Sequence, residues 1–149
     1  MQNLTGSCLC GAVRYILHTT PRLVTLCHCA TCRRSVGAQS VTWATLARTD
    51  VELRGQEQLR WYRSSSRAQR AFCAACGTSL LFAADAFPDE LDVSVGTLDD
   101  PGACPPTCHI FVPDKVAWVA LEAGLPQHVG DSSSALMPEA PEARSISHR

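Results

Sequence analysis

Residues 27–34 read CHCATCRR. Cys27 and Cys29 are one residue apart, Cys29 and Cys32 two, so three thiols crowd into six positions with Arg33 and Arg34 directly behind. In a reducing compartment, cysteines at such spacings are metal ligands rather than halves of disulfides. On an extended backbone, residues i and i+2 face the same way. Cys27 and Cys29 can then aim at one ion, and Cys32, a short turn further on, completes a set of three. Four protein ligands close a structural zinc site, whereas three plus an exchangeable ligand is the catalytic arrangement. His28 falls between two ligands and is expected to face away from them, as a packing or surface residue. The stretch around Cys29 to Val36 is the convincing helix candidate.

The other cysteines, of nine in all, follow the same arithmetic. Cys8 and Cys10 repeat the C-x-C spacing, which on an extended backbone turns both sulfurs one way and Leu9 the other. Cys73-Ala74-Ala75-Cys76 is a C-x-x-C turn, and Gly77 can take the positive φ such a turn often needs. Two pairs of this kind make a tetrahedral Cys₄ zinc site where the fold brings them together. The plainer reading is that they pack as small hydrophobes. Cys104 and Cys108, in PGACPPTCHIF, remain. Either can close the Cys27/Cys29/Cys32 site as a fourth ligand and make it structural, or both are free thiols.

The chain around these motifs has 149 residues, 46% hydrophobic and 18% charged, which suits one globular domain with a real core. A formal net charge of -1 lacks the electrostatic footprint of a nucleic-acid binder and argues against an anionic membrane surface. MQNLTGSCLC has no basic start followed by an apolar run, and no apolar stretch approaches the roughly 20 residues that cross a bilayer. The expectation is a cytoplasmic protein, and Asn3-Leu4-Thr5 then matches a glycosylation acceptor by chance.

Short β-branched or alternating runs predict strands at 12–17, 22–27, 40–46, 59–63, 68–72, 80–83, 91–95, 110–112 and 116–118. Gly55, Ser64-Ser65-Ser66, Gly77, Pro88, Gly96, Pro101-Gly102 and Pro113 punctuate them. Many short strands at regular spacing predict a mainly β fold, a sandwich or an open barrel. From Gln127 the composition turns to Ser, Ala, Pro and Glu. The expected organisation is a domain over 1–126 and a disordered tail over 127–149.

Three thiolates leave a divalent ion with net negative charge, a weaker Lewis acid than a three-histidine site. Its bound water is less acidified, and a small-molecule thiol suits the open position better, since zinc holds it as thiolate at neutral pH.

GSCLCGAVRY (Gly6–Tyr15), CHCATCRRSVGA (Cys27–Ala38), FCAACGTSL (Phe72–Leu80), VGTLDDP (Val95–Pro101) and HIFVPDKVAW (His109–Trp118) occur in this order. The chain thereby resembles the glutathione-dependent formaldehyde-activating enzyme family, whose domain also occurs in centromere protein V. The resemblance covers roughly Leu4 to Leu121. It implies an Mss4-like fold of short antiparallel strands with a short helix. It also implies two zinc ions per chain: a structural one on Cys8, Cys10, Cys73 and Cys76, and a catalytic one on Cys27, Cys29 and Cys32. The implied chemistry is that of a carbon–sulfur lyase, the reversible addition of glutathione to formaldehyde. Arg33 and Arg34 are then candidates for the carboxylates of glutathione, against the plainer reading of a solvated basic helix face. Asp99 and Asp100 are candidate acid/base groups, against the plainer reading of turn caps. Two rival expectations are the same scaffold acting on another aldehyde or an imine, and a non-catalytic, zinc-stabilised module that binds a protein.

Overall fold

The computed structural model describes residues 3–138. Its strands, in chain order, are β1 (Leu4–Ser7), β2 (Arg14–Leu17), β3 (Leu23–Cys27), β4 (Val41–Ala47), β5 (Val51–Arg54), β6 (Leu59–Ser65), β7 (Ala68–Cys73), β8 (Ser79–Ala84), β9 (Glu90–Ser94) and β10 (Cys108–Ile110). The helix α1 (Ala30–Val36) lies between β3 and β4. The mainly β fold of short antiparallel strands with a short helix is as expected.

The strands form a three-stranded sheet in the order β1-β2-β5 and a seven-stranded sheet in the order β10-β3-β4-β9-β8-β7-β6. Every strand pairing is antiparallel except β10 on β3. Each strand of the small sheet buries one face, as half-buried antiparallel strands do. Val13, Tyr15, Leu17 and Val51 from that side pack with Leu46, Leu80, Leu81, Leu91 and Val93 of the large sheet in one core. A second, smaller cluster holds Cys27, Cys32, Val41, Trp43, Cys108 and Ile110, with Phe82 and Val36 against it. Two of the three crowded cysteines thus lie fully inside an apolar pocket of their own.

β1 and β5 were not among the expected strands. Gly6 breaks the apolar pattern of β1, yet it is what lets β1 lie on β2. A Cβ at Gly6 would stand 2.3 Å from the Tyr15 ring and 2.5 Å from the Thr97 carbonyl oxygen. Val51-Glu52-Leu53-Arg54 is too short for its alternation to stand out. Conversely, no strand forms over 116–118. The Lys115 ammonium donates to the carbonyls of Val116, Ala117 and Val119, curling the chain there and leaving Trp118 73% exposed.

The segment expected as a tail from Gln127 is described as far as 138, and there it lies along β10. His109 N–H donates to the Pro126 carbonyl and His128 N–H to that of His109, while Phe111 N–H reaches Gly130. Backbone pairing with β10 holds a segment whose side chains alone bury little. The rest of the expected tail, 139–149, lies outside the described residues.

Gly55 has a sharper role than a turn marker. Its φ is +73°, and a Cβ there would stand 1.9 Å from the Ala12 carbonyl oxygen, in the loop that follows Cys8 and Cys10. Gly37 has a similar φ of +66° with nothing within 4 Å of its would-be Cβ. Gly37→Ala should cost about 1–2 kcal/mol, the left-handed strain alone, and Gly55→Ala more than about 2 kcal/mol, strain plus collision. Urea unfolding of the two variants checks this, and equal midpoints would contradict it.

Candidate metal centres

Four sulfurs converge from the ends of two strands. Cys8 follows β1, and its carbonyl accepts from Gly11 N–H at 3.0 Å, with Gly11 at φ +73°. The C-x-C pair therefore sits on a tight turn, not on the extended backbone expected for it. The turn still sends Leu9 outward, 90% exposed. Cys73 ends β7, and its carbonyl accepts from Gly77 N–H at 2.8 Å, with Gly77 at φ +78°, as the glycine was expected to do. Cys8 Sγ lies 3.6 Å from Cys10 Sγ, which is 3.9 Å from Cys73 Sγ. With Cys76, all four sulfurs lie within 4.8 Å of one another.

Donors surround this group. Val13 N–H donates to Cys8 Sγ at 3.3 Å, and the Thr78 hydroxyl lies 3.2 Å from Cys76 Sγ while accepting from Leu9 N–H. Hydrogen bonds from the Thr78 hydroxyl and backbone bring the Cys76 thiol down to about 5. Donors aimed at sulfur favour the thiolate, the form a metal needs.

The second group is built by one strand and one helix. Cys27 is the last residue of β3, held between Val41 of β4 and Ile110 of β10. Cys29 caps α1, its Sγ accepting from Cys32 N–H at 3.3 Å. Cys32 lies in the first turn of α1, 4% exposed. The three sulfurs lie within 4.8 Å of one another. Hydrogen bonds from Cys27 and Cys32 drive the Cys29 thiol far down, and bonds to Cys29 and Cys32, together with burial, push Cys27 up.

Cys104 and Cys108 belong to neither group among the described residues. Both are buried, and burial raises both thiols. Register explains Cys108. It stands beside Thr25 on β3, two residues short of Cys27, or about 6.6 Å along a strand. It shares the apolar pocket of Cys27 and Cys32 without reaching the site.

His28 faces away from the sulfurs, as expected, and is fully buried. Its Nε2 lies 3.1 Å from Nδ1 of His109, equally buried on β10, so one ring donates to the other. Burial, then the charge of the second ring, lowers His28 to about 4, and the pair stays neutral behind the Cys27–Cys29 loop.

The two arginines behind the motif differ. Arg33 Nη1 donates to the carbonyls of His28, at 2.6 Å, and Asp114, so this side chain ties α1 to the loop after β10. Arg34 is exposed. It lines a shallow groove of about 490 Å³ with Arg33, Gln39, Val116 and Trp118. A separate cavity of about 480 Å³ is lined mostly by hydroxyl residues, among them Ser35, Ser40, Thr42, Thr78 and Ser79, with no charged side chain. Asp99 accepts from the Thr5 hydroxyl, and Asp100 caps the turn at Gly102. Both carboxylates are occupied by local structure, and neither meets a sulfur.

One contact had no counterpart in the sequence reading. Arg70, only 7% exposed on β7, donates from Nη2 to Cys32 Sγ at 3.3 Å. Its sequence signal was a lone arginine between Gln69 and Ala71 in AQRAFC, which looks like any solvent-facing strand position. Thiolate-only donor sets with backbone and guanidinium N–H groups aimed at sulfur fit a soft divalent ion, and both groups could hold metal, consistent with zinc.

A sequence profile described as "Glutathione-dependent formaldehyde-activating enzyme" matches residues 3–114. The chain belongs to this family. It is similar to a Halomonas elongata protein assigned by name to the glutathione-dependent formaldehyde-activating enzymes, 27% identical over 128 residues, 80% of this chain and 82% of that one. It is also similar to a Schizosaccharomyces pombe protein named as an uncharacterized lyase, 34% identical over 83 residues, 56% of this chain and 59% of that one. A solved structure of a Rhodobacter sphaeroides protein superposes with a TM-score of 0.52 at 30% identity, covering 64% of this chain and 87% of that one. The family and the relatives' names support a lyase-type enzyme.

Elemental analysis of purified variants should find the wild-type metal content in Cys104→Ala and Cys108→Ala, and less in Cys29→Ser. Loss of an ion from either alanine variant would make that cysteine a ligand.

Proposed function

We propose that the protein is a carbon–sulfur lyase that adds a small thiol, glutathione or one like it, reversibly to formaldehyde or a similar small aldehyde. The observation that carries this reading is the contrast between the two cysteine groups, four sulfurs in one and three in the other. On this reading Cys8, Cys10, Cys73 and Cys76 hold a structural zinc. Cys27, Cys29 and Cys32 hold a second one with a position left for the substrate. A zinc ion so held supplies a means of keeping a thiol ionised at neutral pH.

The chain's own residues do the rest. β3 and the cap of α1 fix Cys27, Cys29 and Cys32 in one geometry. Arg33 holds the neighbouring loop, and the exposed Arg34 offers its guanidinium to a substrate carboxylate. The uncharged, hydroxyl-lined cavity offers no cation, so the Arg34 groove is the better seat for a tripeptide's acidic end. In the reaction the thiolate sulfur bonds to the carbonyl carbon, the carbonyl π pair moves to oxygen, and a proton from solvent completes the hydroxymethyl thioether. Thiol and aldehyde combine unaided, so catalysis need only ionise, concentrate and orient.

A second reading keeps the metal centre but has it serve another nucleophile than glutathione, such as water, acting on another aldehyde or an imine. The commitment of Arg33 to two backbone carbonyls favours it, because a single free arginine in the groove is a modest counterpart for the two carboxylates of glutathione.

Exchange NMR on glutathione mixed with formaldehyde tests the first reading against the uncatalysed background. The protein should give saturable acceleration, and Cys27→Ser should lose at least about 100-fold of it while keeping a cooperative thermal transition. No acceleration by the metal-loaded protein would discard this substrate pair. Stripping the metal with a strong chelator should abolish the thermal transition itself. Structural zinc in small domains contributes about 10–16 kcal/mol, against a usual net stability of about 5–15 kcal/mol. A fully stripped chain that still melts cooperatively would remove the structural role of the four-cysteine site.

A further inference from the structure

Arg70 is a buried cation without a carboxylate. It sits mid-strand on β7, opposite Tyr62 of β6 and Phe82 of β8. Among the described residues, ion pairs join His18 to Glu52, Arg22 to Glu90, Arg54 to Glu52 and Arg63 to Asp85, and none includes Arg70. Burying a guanidinium is costly unless an anion and hydrogen-bond acceptors meet it. What meets this one is the Ser64 hydroxyl on Nη1, the face of Phe82 with its ring centroid 4.9 Å away, and Cys32 Sγ on Nη2. Nε finds no acceptor among the described residues. Of these contacts only the sulfur can carry a full negative charge. The fold therefore places a fixed positive charge, anchored by Ser64 and Phe82, against one member of the three-cysteine group.

We infer that Arg70 is the positioning and charge-balancing partner of the Cys27/Cys29/Cys32 centre, setting how tightly it holds metal and how readily it accepts an external thiolate. This rests on the reading of those three cysteines as a metal centre with an open position. Three thiolates around a divalent ion leave one negative charge, and a thiolate in the fourth position raises that to two. The guanidinium offsets one of them at contact distance in an apolar pocket, where charges are weakly screened. Its N–H bond to Cys32 Sγ also draws electron density from that sulfur. Cys32 would then donate less to a bound ion, leaving that ion a better acceptor for an external thiolate, and outer partners of metal ligands commonly tune a site in this way. The four-cysteine group has no cationic side chain hydrogen-bonded to its sulfurs among the described residues. Its sulfurs meet one another, backbone N–H groups and the Thr78 hydroxyl. A closed site needs no help to admit a fifth ligand, and an open one facing an anion does.

The test uses the full chain as wild type, Arg70→Met, Arg70→Lys and Ser64→Ala, each loaded with cobalt(II) as a visible stand-in for zinc. Competition with a chelator of known affinity reads the two sites separately. Titration with glutathione, followed through the thiolate-to-cobalt and d–d absorption bands, reads the open position. Arg70→Met should leave the tight ion in place, weaken the second about 10- to 100-fold, and weaken glutathione uptake at least as much. Arg70→Lys, which keeps the charge and loses the fork, should fall between it and wild type. A merely structural arginine would lower thermal stability without moving one metal site relative to the other or shifting the thiol titration. Equal metal and thiol affinities, within twofold, in Arg70→Met and wild type would overturn the inference. Should Arg70→Met fail to fold, Ser64→Ala decides, because it frees the guanidinium from its anchor. A several-fold weaker second ion supports the inference, and wild-type behaviour in both titrations overturns it. A wild-type chain that takes up one ion only would instead defeat the open-centre reading itself, and the inference with it.

Discussion

The fold turns on one convergence. Cys10 and Cys73 are 63 positions apart in the chain, yet their sulfurs lie 3.9 Å apart. One belongs to the loop between two strands of the small sheet, the other to the end of a strand of the large sheet. Neither sheet is large enough to enclose its own core, and Tyr15 and Leu17 are buried only because Leu80 and Leu81 come over from the other side. Four thiolates on one ion would lock that approach at its edge. The tolerances around them are correspondingly tight: Gly6 against Tyr15 and Gly55 against Ala12 leave no room for even a methyl group. Chain entropy opposes bringing such distant segments together, and a metal clip is an effective way to oppose it in a small domain.

The second cluster obeys a different logic. Its sulfurs come from one short stretch, the end of β3 and the cap and first turn of α1, so holding them together needs no long-range closure. What the rest of the molecule supplies is surroundings. β10 covers Cys27, and β7 sends Arg70 to Cys32. His28 and His109 fill the space behind as a neutral pair, and Arg33 fastens the loop after β10 to the start of α1. The segment 126–130 in turn pairs with β10, so chain that looks disposable in composition supports one wall of this pocket. Among the described residues this group has three sulfurs, against four in the other.

Much of this was legible in the residues because cysteine spacing is a local signal with a geometric meaning. C-x-x-C followed by glycine demanded a turn, and the turn is there at Gly77. C-x-C at Cys8 and Cys10 was read through strand alternation, and it is Gly11 that makes it a turn instead. Both backbones bring sulfurs i and i+2 together, so the expected grouping of the cysteines survived a wrong local conformation. The illegible parts are those in which a distant partner decides. Gly6 looks like a break until Tyr15 lies across it. Val116–Trp118 looks like a strand until Lys115 takes its carbonyls. Gln127 looks like the start of a tail until β10 offers backbone hydrogen bonds that no side-chain pattern encodes. Arg70 is the extreme case, since nothing near it in the sequence distinguishes it from an exposed strand arginine.

The arginines bear on chemistry because each stands in a different relation to charge. Arg33 satisfies two carbonyls, Arg34 faces water, and Arg70 faces sulfur. Had the motif's two arginines both been free, a dicarboxylate thiol would be the natural occupant of the groove. With Arg33 held by two backbone carbonyls, Arg34 is the exposed arginine of the motif, and Gln39 and Trp118 line the groove beside it. On the proposed reading, discrimination among thiols is looser than their ionisation, because the groove is shallow and exposed while Cys27, Cys32 and Arg70 are buried. Preorganisation is costly to build and is concentrated here at the reacting sulfur's end of the site. That distribution suits a centre whose demand is an ionised thiol in a defined place, with the remainder of the substrate held only well enough to bring it there.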